Sequence, residues 1–107
     1  MIFRHWSDQK EKEIVKGFHG RFVHTDNITF ANWRIEAGSA LPSHSHPQEQ
    51  VSHMTEGKFE MTINGETRIL EPGQIAVIPG GIPHWGKALT DCKMVDVFCP
   101  VREDYKF

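Results

Sequence analysis

Six side chains in this sequence have the types and spacing to do chemistry: His44, His46, Gln50, His84, Asp96 and Arg102. His44 and His46 stand one residue apart, so on an extended strand both point to the same face. Gln50 keeps the even spacing, with Pro47 in between. His84 follows the Pro-Gly-Gly-Ile-Pro turn of residues 79–83 and arrives from a separate part of the chain. Two imidazoles from one strand, a third from a turn and an amide oxygen can surround a divalent ion. Taken alone, His-Ser-His also suits a polar strand end that binds nothing. Asp96 lies between Met94 and Phe98 on the apolar face of an alternating segment. A carboxylate there is costly unless a neighbouring Arg or Lys satisfies it or it moves a proton. Arg102, just past Pro100, has the fork to grip a carboxylate, or it pairs with Glu103 or Asp104 nearby.

The donor types narrow the chemistry. Three neutral imidazoles and a neutral amide leave a divalent ion its full charge, whereas a glutamate would cancel one unit. Such an ion is a stronger Lewis acid and is less suited to a higher oxidation state. The set favours polarising a substrate oxygen over activating dioxygen. Glu49 adjoins Gln50 but points to the opposite face by parity. Zinc, nickel, iron(II), cobalt and manganese all suit these donors, so one divalent ion per chain is expected without its identity.

The elements that must position these residues read as short strands. Residues 13–18, 21–24 and 27–37 are β-branched and aromatic, broken at Gly17, Gly20 and Asp26-Asn27. Residues 38–43 read as a turn stiffened by Pro42. Residues 50–55, 58–63, 66–70, 74–78 and 93–98 read as further strands, with Asn64-Gly65 predicting a type I′ hairpin turn. Residues 7–12 are polar, a short helical turn or an arm. The sum is eight or nine strands and no helix, an all-β sandwich or barrel. Phe18, Phe22 and Phe30 are expected in the core or an interface, and Trp6 and Trp33 in the core or a pocket wall. Trp85, beside His84, is expected to border substrate. His5, His19 and His24 read as surface or interface groups.

Composition excludes several classes. At 107 residues the chain makes one domain. Its net charge is -2 with scattered Lys and Arg, so no nucleic-acid partner is expected. No apolar run approaches the roughly 20 residues that cross a membrane, and the first residues lack the apolar segment of a secretory signal. Cys92 and Cys99 sit in one extended segment, about 20 Å apart at roughly 3.3 Å per residue, too far for a disulfide. Reduced thiols and a cytoplasmic location are expected.

Two segments resemble the motifs of the cupin family. The first cupin motif runs glycine, five residues, His-x-His, three or four residues, glutamate, six residues, glycine. Residues 38–57 supply Gly38, His44, His46, Gln50 and Gly57 at those spacings, with glutamine for glutamate. The second runs glycine, five residues, proline, one residue, glycine, two residues, histidine, three residues, asparagine. Residues 73–88 supply Gly73, Pro79, Gly81 and His84, with Ala88 for asparagine. The resemblance implies a double-stranded β-helix, a jelly-roll-like barrel, over residues 1–107, with residues 1–12 as an arm. It also implies a metal held by His44, His46, Gln50 and His84.

Residues 44–66 and 95–107 are similar, more narrowly, to the pectin-degradation cupins of the KdgF type. In those, a His, His, Gln, His set binds the metal and the chain ends Asp-x-Phe-x-Pro-x-Arg-Glu-Asp. His53 departs from a common tyrosine, and Cys99 from a small polar residue. The implied activity is non-redox ring opening of 4,5-unsaturated monouronates, left by pectin or alginate breakdown, to linear 5-keto-4-deoxyuronate. Asp96 would be the general acid/base, Arg102 would hold the uronate carboxylate and Phe98 would wall the pocket. A homodimer pairing N-terminal strands is implied as well. Competing readings are a metal-dependent cupin dioxygenase and a non-catalytic cupin that binds a small sugar or anion.

Overall fold

Turns rich in glycine, proline and asparagine divide the described residues into ten strands. The computed structural model describes residues 2–107. The strands are β1 (Lys12–Val15), β2 (Phe18–His24), β3 (Thr29–Ile35), β4 (Ala40–His44) and β5 (Glu49–Glu56), followed by β6 (Phe59–Ile63), β7 (Glu66–Leu70), β8 (Ile75–Ile78), β9 (His84–Ala88) and β10 (Cys92–Cys99). Single 3-10 turns span Trp6–Asp8 and Glu103–Tyr105. One sheet runs β1-β2-β3-β10-β5-β8 and the other β4-β9-β6-β7, with every pairing antiparallel. The all-β expectation holds, and the two sheets form the double-stranded β-helix.

Two strands depart from the expected boundaries. The residues expected to turn before the histidines instead form most of β4, which pairs with β9. Strand β9 itself was not anticipated, because His-Trp-Gly-Lys-Ala has little β-branched content. Gly20 does not break a strand but lies inside β2. A Cβ there would crowd the Trp33 and Phe22 rings, so its bare backbone makes room for them. Asn64 and Gly65 both take positive φ, 49° and 80°, as a type I′ turn requires.

Alternation along the strands fills the space between the sheets. Strand β3 points Thr29, Ala31, Trp33 and Ile35 inward, and β10 points Cys92, Met94, Asp96 and Phe98 inward. The aromatic rings meet edge to face, Phe18 on Trp33 at 6.5 Å and Phe18 on Phe59 at 6.1 Å between centroids. Burial of Phe59 and of Phe98 stabilises by about 1.5–3 kcal/mol each. Several polar residues are buried among them, and of these Gln50, Ser52, His84 and Asp96 mark the site. Both cysteines are free, Cys92 buried and Cys99 exposed. No helix among the described residues is long and apolar enough to cross a membrane.

Candidate metal centre

Strand pairing, rather than one extended segment, brings the imidazoles together. His44 closes β4 directly opposite His84, which opens β9. His46 lies beyond β4 in the loop before β5, so the same-face argument from strand periodicity covers only His44. The ligand nitrogens of His44, His46 and His84 nevertheless lie within 4.8 Å of one another. Ring centroids are 4.2 Å apart for His44 and His84, and 5.1 Å for His46 and His84.

Each imidazole is oriented in the same way. Nδ1 donates to a backbone carbonyl two residues away: His44 to Pro42 at 3.0 Å, His46 to Gln48 at 3.0 Å and His84 to Ile82 at 2.9 Å. A carbonyl only accepts, so each Nδ1 carries the proton and each Nε2 of a neutral ring carries a lone pair. Burial pushes the His84 pKa down to about 4, and burial together with the nearby Arg102 charge lowers that of His46. Both rings are therefore neutral at neutral pH, the form that binds metals.

The donor set fits a divalent cation. His84 Nε2 is buried with no hydrogen-bond partner among the described residues. His46 Nε2 faces Gln50 Oε1 at 3.0 Å, while the Gln50 amide nitrogen donates to Ser52 Oγ at 2.9 Å. Two lone-pair atoms converging in a buried place repel one another unless a cation joins them. Gln50 is held on β5 across from Ile78 and Phe98, and Glu49 faces outward as parity requires.

Asp96 and Arg102 share the cavity with these residues. The cavity measures about 50 Å³ and is lined by His44, Gln50, His84, Asp96, Phe98 and Arg102, with Trp33 and Tyr105 also on its wall. Asp96 sits opposite Ser52 on β5 and Ala31 on β3. Among the described residues no ion pair reaches its carboxylate. Trp33 Nε1 donates to Oδ2 at 2.9 Å, and Oδ1 has no hydrogen-bond partner among the described residues. Burial pushes the Asp96 pKa up to about 6, against the pull of the neighbouring Ser52, Trp33 and Gln50 groups. Such a carboxyl exchanges its proton near neutrality.

Arg102 pairs with its near neighbour Asp104, yet remains inside. Its Nε and Nη2 donate to the two Asp104 carboxylate oxygens at 2.9 and 2.7 Å. Its guanidinium carbon lies 4.0 Å from the Tyr105 ring centroid and 4.8 Å from that of Phe98. Its Nη1 is buried without a hydrogen-bond partner among the described residues.

Trp85 is not part of this assembly. Neighbours on a strand face opposite ways, so with His84 inward Trp85 points out and is 42% exposed. It lines an outer groove with Pro42 and Lys87. Trp33, in contrast, was read as core or wall and proves to be the partner of Asp96. The signal for it was the inward alternation of β3, but only the strand pairing shows which residue it meets. A second group, Glu13, His19 and Glu36, gathers on the outer surface. His19 Nε2 lies 2.7 Å from Glu36 Oε2 and 3.6 Å from Glu13 Oε2, an ion-pair cluster with its partners in place.

Comparison with known proteins agrees with the geometry. The cupin domain family matches residues 31–98. The structure of KdgF from a Halomonas species superposes with a TM-score of 0.89 at 26% identity, covering 97% of each chain. An RmlC-like cupin from Shewanella frigidimarina superposes with a TM-score of 0.92 at 23% identity, covering 98% of this chain and 96% of its own. An uncharacterized protein of Streptomyces coelicolor is 23% identical over 93 residues, 86% of this chain and 89% of that one. Oxalate decarboxylase of Bacillus subtilis, described with Mn(II) centres, matches with a TM-score of 0.79 at 25% identity; the match covers 91% of this chain and 29% of the decarboxylase. With its two motifs, its two sheets and its histidine cluster at the strand ends, this chain is a small member of the cupin family.

Proposed function

We propose that this cupin is a metal-dependent enzyme that opens the ring of 4,5-unsaturated monouronates without redox chemistry. One observation carries the reading. A buried carboxyl with one free oxygen, Asp96, lines the same small cavity as two of the imidazoles, an amide and an arginine with an unpartnered nitrogen. His44, His46, His84 and Gln50 would hold the ion, which supplies Lewis-acid charge for a substrate oxygen.

The reaction is an isomerisation, so atoms and electrons balance within the substrate. The bond from C1 to the ring oxygen breaks, O1 loses its proton to become the C1 carbonyl oxygen, and C4 gains a proton as C5 becomes a ketone. Asp96 would carry the proton to C4, a role its pKa of about 6 suits. Trp33 fixes Oδ2 and so leaves Oδ1 to do the exchange. Arg102 Nη1 would hold the substrate carboxylate, and Phe98 would wall the ring.

The test is the fate of the C4 proton. Metal-loaded protein, an unsaturated galacturonate-derived monomer and deuterated water are combined under anaerobic conditions and followed by proton NMR. The expected result is loss of the vinyl signal faster than in buffer, with one deuterium at C4 of the linear product. A requirement for dioxygen, or a rate equal to buffer, would overturn the reading.

A further inference from the structure

The Arg102–Asp104 pair does more than neutralise two charges. Arg102 has five N–H donors, all in the plane of its guanidinium. Asp104 occupies the Nε–Nη2 edge through both of its oxygens, at 2.9 and 2.7 Å. The guanidinium plane lies against Tyr105 and Phe98. The Arg102 side chain is 8% exposed while Asp104 is 60% exposed, so the pair points its carboxylate to solvent and its other end inward. What remains is Nη1, buried and without a hydrogen-bond partner among the described residues, with the second Nη2 proton beside it, on a residue that lines the cavity. Arg102 lines the same cavity as His44 and His84. A cation beside a site built for a second cation calls for an anion between them.

The backbone around Arg102 is anchored as firmly as its side chain. Its amide donates to Thr29 Oγ1 at 2.8 Å, and Thr29 Oγ1 is 2.8 Å from His24 Nδ1. His24 Nε2 donates to the Tyr105 carbonyl at 3.1 Å, and Gln48 Nε2 donates to the Val101 carbonyl at 3.1 Å. The segment is therefore held on both sides without Asp104. The bidentate pair is free to serve orientation of the guanidinium rather than attachment of the segment.

We infer that Asp104 is a positioning residue: it locks the Nε–Nη2 edge of the Arg102 guanidinium and leaves the end-on edge, Nη1 with the second Nη2 proton, to meet a ligand in the cavity. The site then selects a ligand whose carboxylate meets that edge end-on. The inference rests on the proposed uronate reading and names the residue that makes it specific. An arginine with its fork free would grip any bidentate anion, phosphate included. An arginine turned by Asp104 keeps only its end-on edge, at one fixed angle, which suits a carboxylate held at its other end.

Calorimetry on zinc-reconstituted protein tests this with two probes, D-galacturonate and its neutral methyl ester. The intact protein is expected to prefer the carboxylate. Asp104→Asn is expected to cut that preference about tenfold, the effect of misaligning one charge-assisted hydrogen bond, with affinity for the ester unchanged. Asp104→Glu is expected to restore part of it. Equal weakening of both probes would assign Asp104 a purely structural role, and tighter carboxylate binding in Asp104→Asn would make it a competitor; either overturns the inference. No preference in the intact protein would overturn it together with the uronate reading, whereas an undiminished preference in Asp104→Asn overturns the inference alone.

Discussion

At the scale of single residues, burial sets each group's protonation and protonation sets its use. His84 is kept neutral with its lone pair unengaged, and Asp96 is kept near its exchange point by the same desolvation acting on the opposite charge. Tyr105 follows the rule too: burial pushes its pKa up to about 12, so it lines the cavity as a neutral phenol. It is the one tyrosine of the chain, which makes its ionisation directly readable by ultraviolet absorbance. Below pH about 10 both folded and unfolded chains keep that proton; above it only the fold does, so stability falls as pH rises toward 12. The expected tyrosinate midpoint in the folded protein is about 12, and a midpoint near the unperturbed value of about 10 would contradict the burial of Tyr105. His44, His46, Gln50, His84, Asp96 and Arg102 stood out in the sequence by residue type and motif spacing, and the fold gathers them, although strand periodicity accounts for the placement of His44 and not of His46. Trp33 did not stand out, because its meeting with Asp96 crosses from β3 to β10, and that neighbour relation is set by topology alone.

At the scale of elements, β9 decides whether the centre exists. It pairs with β4 on one side and β6 on the other, and so fixes His84 against His44. Gly86 makes this geometry fit: a Cβ at that position would overlap the Phe59 ring and crowd the Glu60 carbonyl. Gly86→Ala is therefore expected to lower stability by about 1–3 kcal/mol, the usual cost of overpacking, read as a shift in urea midpoint with the slope unchanged. An unshifted midpoint would mean that β9 and β6 are not packed as closely as described. The two strands missing from the sequence reading, β4 and β9, are those that carry histidine, proline and glycine in place of β-branched residues. Their extended form comes from pairing partners, not from their own propensities. The misplacement of Trp85 has the same origin, since alternation applies only once residues 84–88 are known to be a strand.

At the scale of the molecule, the outer face of the six-stranded sheet carries an apolar row. The register aligns Val23, Phe30, Val97, Val51 and Val77 across five strands. Trp6 covers the β3 part of it by packing on Phe30 at 5.1 Å. The other end stays open, with Ile75 61% and Val77 60% exposed on edge strand β8. We propose that a homodimer, which the family resemblance implies through the N-terminal strands, buries this β8 end; exposed apolar side chains, Ile2 and Phe3, also stand in the N-terminal arm. Sedimentation is expected to give twice the chain mass, and Val77→Lys to give the monomer mass with the fold intact. A monomeric intact protein would contradict the dimer.

The central claim is that Asp96 moves the proton in a non-redox ring opening at the histidine centre. The most direct measurement is the rate at which an unsaturated monouronate loses the ultraviolet absorbance of its conjugated double bond, under anaerobic conditions, with metal-loaded protein. The account predicts decay faster than in buffer, slowed about 100- to 10,000-fold in Asp96→Asn at unchanged metal content. Equal rates for the intact protein, Asp96→Asn and buffer would contradict it.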